Sequence, residues 1–362
     1  MGLGRANVST SLHNSLHRPV DRCDVVKATI GMLPDVALLQ IFDFYVCEAY
    51  TGEWYTLVHV CRKWRAVVFR SPHLNLQLHV RLKSKPTTPM ADLLGLWPQL
   101  PIAISVFNEE IWDLDDIFTA FGHSYRISQL RLWRVSSRQL VRILAEMRQP
   151  FPALTELKLE PGDEKVVDVP ASFLGGSAPS LRELSFYQIR FPELPNLLLS
   201  ATHLIRLQLT SIPHSGYITS EALVTCLSVL TRLEILHIGL KSPRSRPNQE
   251  LRRPPPQKRT LLPVLTKFHF RGHEQYLEHL VAWIDSPLLD NLDISFFYQP
   301  LFNTPELTQF IRRTSKFKAH DEERVVSSYL DGSLTLPQTA GGTLNLKMLP
   351  KFWNDLDARG LL

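Results

Sequence analysis

The chain has 362 residues, 44% of them hydrophobic, and a formal net charge of +5. That is enough apolar content to bury a substantial core, and no apolar run reaches the length of a membrane span. The cationic excess is local rather than spread along the chain, so it gives no basis for expecting nucleic acid as a partner. Residues 1–28 are polar and read as a disordered tail without the apolar stretch of a signal peptide. Cys23, Cys47, Cys61 and Cys226 are not spaced as metal ligands. Free thiols of this kind fit a reducing compartment, hence the cytoplasm, the nucleus or both.

The first organised segment spans residues 29–72. Leu33-Pro34-Asp35 opens a helix, with Pro34 where its missing N–H does no harm. Leu38, Ile41, Phe42 and Tyr45 then recur at helical spacing and form one apolar stripe. Gly52 interrupts the pattern. A second helix is predicted with Trp54, Leu57, Val58, Cys61, Trp64, Arg65 and Val68 on one face, ended by Ser71-Pro72. Leu74, Leu76, Leu78 and Val80 alternate like a half-buried strand.

Beyond residue 113 helices and short strands alternate. Asp113, Ser136 and Thr219 are predicted N-caps, each followed by an apolar stripe of helical period. Leu277, Leu280, Val281 and Ile284 form another stripe, and Thr304-Pro305 opens the last. Between them one phrase recurs, from Ile127-Ser-Gln-Leu130-Arg-Leu132 to Leu289-Asp-Asn-Leu292-Asp-Ile294. Its other copies start at Leu154, Leu181, Leu204, Leu233 and Leu265, so the spacing is 23 to 32 residues. A phrase of this form and period is the mark of a leucine-rich-repeat solenoid. The predicted fold class is therefore α/β: a helical unit, then an irregular α/β horseshoe over residues 73–350, then a tail over 351–362. Two repeats, those of Leu181 and Leu204, have Pro- and Gly-rich connections and should carry helices of one or two turns. The Asn or Cys ladder of regular repeats is replaced by Val135, Gly162, Ile189, Ile212, Lys241, His273 and Phe297. Their loops must find other hydrogen-bond partners. A basic, Pro-rich loop over 241–260 breaks the rhythm. It reads first as a solvated insertion, with an import signal, a clamp for an acidic partner or a proline-groove ligand as alternatives.

A solenoid offers surface rather than bond chemistry. Strand alternation leaves the residues flanking each fourth-position apolar residue outside the core. The target-facing candidates are Arg131, Lys158, Arg206, His237 and His269, with Trp133 and Tyr187 either as aromatic anchors or as covers for strand edges. Enzyme templates fail. His273-Glu274 lacks the second histidine of a zincin, because position 277 is Leu277, and Gly175-Gly176-Ser177 lacks the spacing of a nucleophile elbow. No cofactor and no metal is expected.

Leu33-Pro34, the Leu38/Ile41/Phe42 stripe and Val60-Cys61-Arg62-Lys63-Trp64-Arg65 together resemble an F-box. The wider chain is similar to fungal F-box-like proteins through Ser71 to Leu78, Phe173 to Pro179 and Leu198 to Leu204. The stretch from Val46 to Tyr55 is longer than in a compact F-box. The resemblance implies a substrate receptor of a cullin–RING ubiquitin ligase. Leu33, Pro34, Leu38, Ile41 and Phe42 would face a Skp-type adaptor, with Val60, Cys61 and Trp64 supporting or joining them, and the repeats would hold an unknown target protein. A plain helical cap on the solenoid, and a protein-binding scaffold unconnected to ubiquitination, are the alternatives.

Overall fold

The computed structural model describes residues 32–48, 54–71, 74, 76–81, 89–96, 100–107, 113–241, 259–297, 304–320, 333–335 and 343–348. The predicted tails, Gly52, Pro72 and residues 242–258 of the basic loop lie outside them. The chain divides into two units, Met1–Asn75 and Leu76–Leu362.

The first unit holds α1 (Asp35–Glu48), α2 (Tyr55–Val60) and α3 (Arg62–Arg70). Asp35 lies in the first turn of α1, where the helix dipole favours a carboxylate. Lys63 Nζ donates to the Leu33 carbonyl at 2.6 Å and lies 3.7 Å from Asp35, tying α3 to the start of α1. Leu38 and Phe42 are fully buried, and Phe42 meets the Trp64 ring edge-on at 4.8 Å. Leu57, Val58, Val67 and Val68 complete the interior, with Trp54 edge-on to Phe69.

The single helix expected over this stretch is two. Cys61 is extended (φ −159°, ψ 171°), and its Sγ accepts from the Trp64 N–H at 3.5 Å as the N-cap of α3. Arg65 Nε donates to the Val58 carbonyl at 2.9 Å, so a carbonyl in the last turn of α2 gains a partner. The β-branched Val58 and Val60 weaken helix just where this cap offers an alternative.

The second unit is built by simple addition. It contains β1 (Leu78–Arg81), α4 (Met90–Leu96), β2 (Ile102–Phe107), α5 (Leu114–Phe121), β3 (Ile127–Val135), α6 (Ser137–Glu146), β4 (Glu156–Pro161) and β5 (Val167–Asp168). There follow β6 (Glu183–Tyr187), β7 (Ile189–Arg190), α7 (Leu194–Ser200), β8 (Arg206–Ile212), α8 (Ser220–Leu227), β9 (Ile235–Leu240), β10 (Thr260–Leu261) and β11 (Lys267–Gly272). The last are α9 (Glu274–Trp283), β12 (Ile284–Asp285), β13 (Asn291–Phe296), α10 (Pro305–Arg313), β14 (Ser333–Thr335) and β15 (Thr343–Met348). Eleven strands form one sheet in the order β1-β2-β3-β4-β6-β8-β9-β11-β13-β15-β14. All pairs are parallel except β14 with β15. Up to β15, each strand lies beside the sheet strand before it in sequence. The helices stack in the same order, α4 on α5, α5 on α6, α7 on α8, α8 on α9 and α9 on α10. Between β4 and β6 the connection carries no α-helix, only a turn at Phe173–Gly176 in which Leu174 and Gly175 have positive φ, and α7 has seven residues. These are the two thin repeats.

The recurring phrase sets this geometry. Its fourth positions, Leu130, Leu157, Leu184, Leu207, Leu236, Phe268 and Leu292, pair in register and are fully buried. The predicted caps are in place. Asp113 accepts from the Asp115 N–H at 3.0 Å, Ser136 from Gln139 at 3.4 Å and Thr219 from Ala222 at 3.1 Å. His273 caps α9 by accepting from the Gln275 N–H at 3.3 Å. Thr304 makes no side-chain cap for α10. Glu278 of the preceding helix does this instead, accepting from the Glu306 and Leu307 N–H groups at 2.9 Å each. One expectation shifts: β1 starts at Leu78 rather than Leu74.

Without an Asn ladder the loops bond backbone to backbone. The Gly162 N–H donates to the Val135 carbonyl at 2.8 Å, Lys241 to Ile212 at 2.9 Å and Phe297 to Gly272 at 3.0 Å. Arg134, Gln188 and Ser211, each one residue before a ladder position, have φ of 55°, 54° and 50°. These left-handed residues turn the chain away from the sheet, and the pairing register shifts beside two of them. Gly162 packs so closely there that an added Cβ would lie 2.5 Å from the Arg134 carbonyl oxygen. Gly162→Ala is therefore expected to lower stability by about 1–3 kcal/mol, read as a fall in Tm of the intact chain.

Candidate functional site

Two surfaces have the composition of binding sites: the open side of the sheet, and the outside of the helical unit. On the sheet, residues on either side of the buried fourth positions line up across strands. One row is Gln129, Glu156, Glu183, Arg206, Ile235, Lys267 and Asn291. Two residues further along each strand lies a second row, Arg131, Lys158, Ser185, Gln208, His237, His269 and Asp293. Neighbours within a row are about 4.8 Å apart.

The half of the face on β3, β4 and β6 is a closed charge network. Arg131 forks onto Glu156, Nε to Oε1 at 2.7 Å and Nη2 to Oε2 at 2.5 Å. Lys158 Nζ lies 2.6 Å from Glu156 and 3.4 Å from Glu183. Burial pushes the Glu156 carboxyl up, but its hydrogen bonds to Arg131 and Lys158 outweigh that and hold it below its ordinary value. Two of the target-facing candidates, Arg131 and Lys158, are thus committed to a buried carboxylate. Trp133 and Tyr187 are 38% and 40% exposed, and Trp133 stacks edge-on against Phe107 at 5.0 Å. Phe107, 43% exposed, was not anticipated. The alternation of Ile102, Ile104 and Val106 ahead of it carried the signal.

Glu156 also makes the network acid-sensitive. A carboxylate with a lowered folded pKa contributes stability that is fully present above its ordinary 4.5 and is lost as pH falls through the folded value. Glu156→Gln removes that contribution and leaves two cations facing a neutral group. An expected loss of about 1–3 kcal/mol at pH 7, shrinking toward pH 4, can be measured by urea unfolding at both pH values.

The half on β8, β9, β11 and β13 differs. The His237 and His269 rings lie 5.4 Å apart, and His269 Nδ1 is 3.8 Å from Asp293. Burial lowers the His237 pKa, the neighbouring His269 lowers it further, and Asp293 opposes both. Arg206 Nε is buried with no hydrogen-bond partner among the described residues.

The adaptor-facing set separates in three dimensions. Pro34 and Cys61 are exposed, Ile41 is 46% and Val60 55% exposed, and Leu33 and Trp64 are half-buried. Leu38 and Phe42 correct the expectation. They fill the interior against α3 and have no surface to offer. In their place α1 exposes Val36 (69%) and Phe44 (66%), with Met32 just ahead of it (61%). Only Asp35, Gln40, Asp43 and Glu48 of the 14 residues of α1 are charged or amide-bearing. A helix apolar all round has more to bury than one inward stripe. The stripe Leu38/Ile41/Phe42 is too narrow a description of it.

The sequence matches no protein-family model and no curated protein. Among the described residues no helix is long and apolar enough to cross a membrane.

Proposed function

We propose that the chain is a substrate receptor of a cullin–RING ubiquitin ligase. Its F-box-like helical unit docks on a Skp-type adaptor, and a leucine-rich-repeat horseshoe presents the sheet face to a target protein in the cytoplasm or nucleus. It juxtaposes proteins and carries out no bond chemistry, so it needs no cofactor. The observation that carries this reading is the two-sided apolarity of α1. Leu38 and Phe42 satisfy the interior, and Val36, Ile41 and Phe44 remain in water. Exposed apolar side chains on a unit of this size point to a partner. The order Leu33-Pro34 then Val60-Cys61-Arg62-Lys63-Trp64 adds the F-box resemblance. For the horseshoe, support comes from parallel strands added in chain order and from helices that stack in the same order.

Ile41→Lys with Phe44→Lys tests the docking face, since both side chains are already in water and a lysine there does not disturb the interior. The full chain is expected to co-purify with a recombinant Skp-type adaptor. The double variant should weaken that association about 100-fold or more while keeping its Tm. Failure of the unaltered chain to retain the adaptor would leave a protein-binding scaffold outside the ligase.

A further inference from the structure

The sheet face is electrically divided. On β3, β4 and β6 the exposed rows hold Arg131 and Lys158 against Glu156, Glu160 and Glu183. On β8, β9, β11 and β13 the two rows hold Arg206 and Lys267 with, among the described residues, one carboxylate, Asp293, and with His237 and His269 in the middle. The first set ties both of its cations to carboxylates through the Arg131–Glu156–Lys158–Glu183 contacts. The second does not. Glu183, the carboxylate in register with Arg206, is held by Lys158, and Asp293 is drawn to His269.

We propose that the strip across β8, β9 and β11, built on Arg206, His237, His269 and Lys267, binds an acidic segment of the target polypeptide and takes up protons as it does so. This rests on the sheet face being the target surface. Charge complementarity selects the ligand. Arg206 Nε has no hydrogen-bond partner among the described residues, and a guanidinium with an unmade bond favours a nearby carboxylate. His237 is enclosed by Gln208 and Arg206 on β8 and by His269 and Lys267 on β11, with Asp293 beyond and Arg271 opposite Gly239. In the free protein burial and His269 lower the His237 pKa, against the opposing pull of Asp293. An anion placed over the paired rings stabilises the imidazolium form of His237 and raises its pKa in the complex. By linkage, the gain in affinity is fully present below the free-state pKa of His237 and is lost as pH rises through the raised value.

The test is fluorescence anisotropy of the full chain with a labelled octaglutamate peptide, at low and constant salt. The peptide is expected to bind at least about fivefold more tightly at pH 6 than at pH 8, a range in which histidine titrates. Octalysine should not compete. His237→Gln with His269→Gln should bind as the unaltered chain does at pH 8 and gain nothing at pH 6. Arg206→Gln should weaken binding at both pH values. The basic stretch 242–258 also attracts glutamates, but it contains no histidine and cannot supply the gain. Equal affinity at the two pH values, a gain that survives removal of both histidines, or an Arg206 variant that binds normally would each overturn the proposal. None of those results touches adaptor docking, which is read on the helical unit.

Discussion

Replacing Phe42 by alanine is expected to unfold the N-terminal helical unit and leave the sheet unit standing. Phe42 is fully buried and contacts the Trp64 ring, so it links α1 to α3 across the whole interior. Truncating a buried phenylalanine costs about 3–5 kcal/mol. A helical unit this small rarely has more than about 3–5 kcal/mol in reserve. Calorimetry should therefore lose a transition belonging to residues 32–71, and that segment should become protease-sensitive. Transitions of the sheet unit should stay where they were. Adaptor retention should disappear together with the fold. Ile41→Lys with Phe44→Lys behaves oppositely, keeping the transition and losing the partner. Unfolding and docking should thus be separable within one helix, because one side fills the interior and the other faces water.

The second large effect is expected at Tyr276, in α9. This ring is fully buried, stacks on Phe270 of β11 at 5.9 Å and meets Tyr217 edge-on at 5.6 Å. It therefore locks α9 to the strand just before it and to the turn that leads into α8. Tyr276→Ala should cost about 3–5 kcal/mol. Each repeat of such a stack touches mainly its neighbours, so the loss should be local in effect. Amide exchange is expected to accelerate over β11, α9 and β13 and to change little over β3 and β4. Uniform acceleration along the sheet would mean that the unit unfolds as a single block.

The repeat and its register were legible in the sequence because one physical rule wrote both. A residue that must be buried in every coil leaves a leucine or phenylalanine at the same place, and Leu130 to Leu292 could be aligned from that alone. The caps at Asp113, Ser136 and Thr219 were legible for a similar reason, since their side chains act within three residues. What escaped depends on distant partners. Glu278 caps α10 from another helix, and nothing local to Thr304 announces it. β15 continues the buried row with Leu344 beside Leu292, but 46 residues separate the end of β13 from its start, and the period is lost. The split at Cys61 turns on a weak sulfur acceptor inside a run that reads as helix. On the docking face, helical spacing found the apolar stripe but not which way it points. A helix apolar on both sides gives no preferred direction until its neighbour is in place, which is why Leu38 and Phe42 turned out internal and Val36 and Phe44 external. On the sheet, alternation placed Arg131 and Lys158 correctly on the open side. It could not show that Glu156 and Glu183 occupy both of them.

Hydrogen exchange on the intact chain, with and without a saturating Skp-type adaptor, addresses the docking claim most directly. Amides of α1, α2 and α3 should slow markedly once the adaptor is present, while those from β3 to β13 exchange as before. Unchanged exchange throughout residues 35–70, or slowing confined to the sheet, would contradict it.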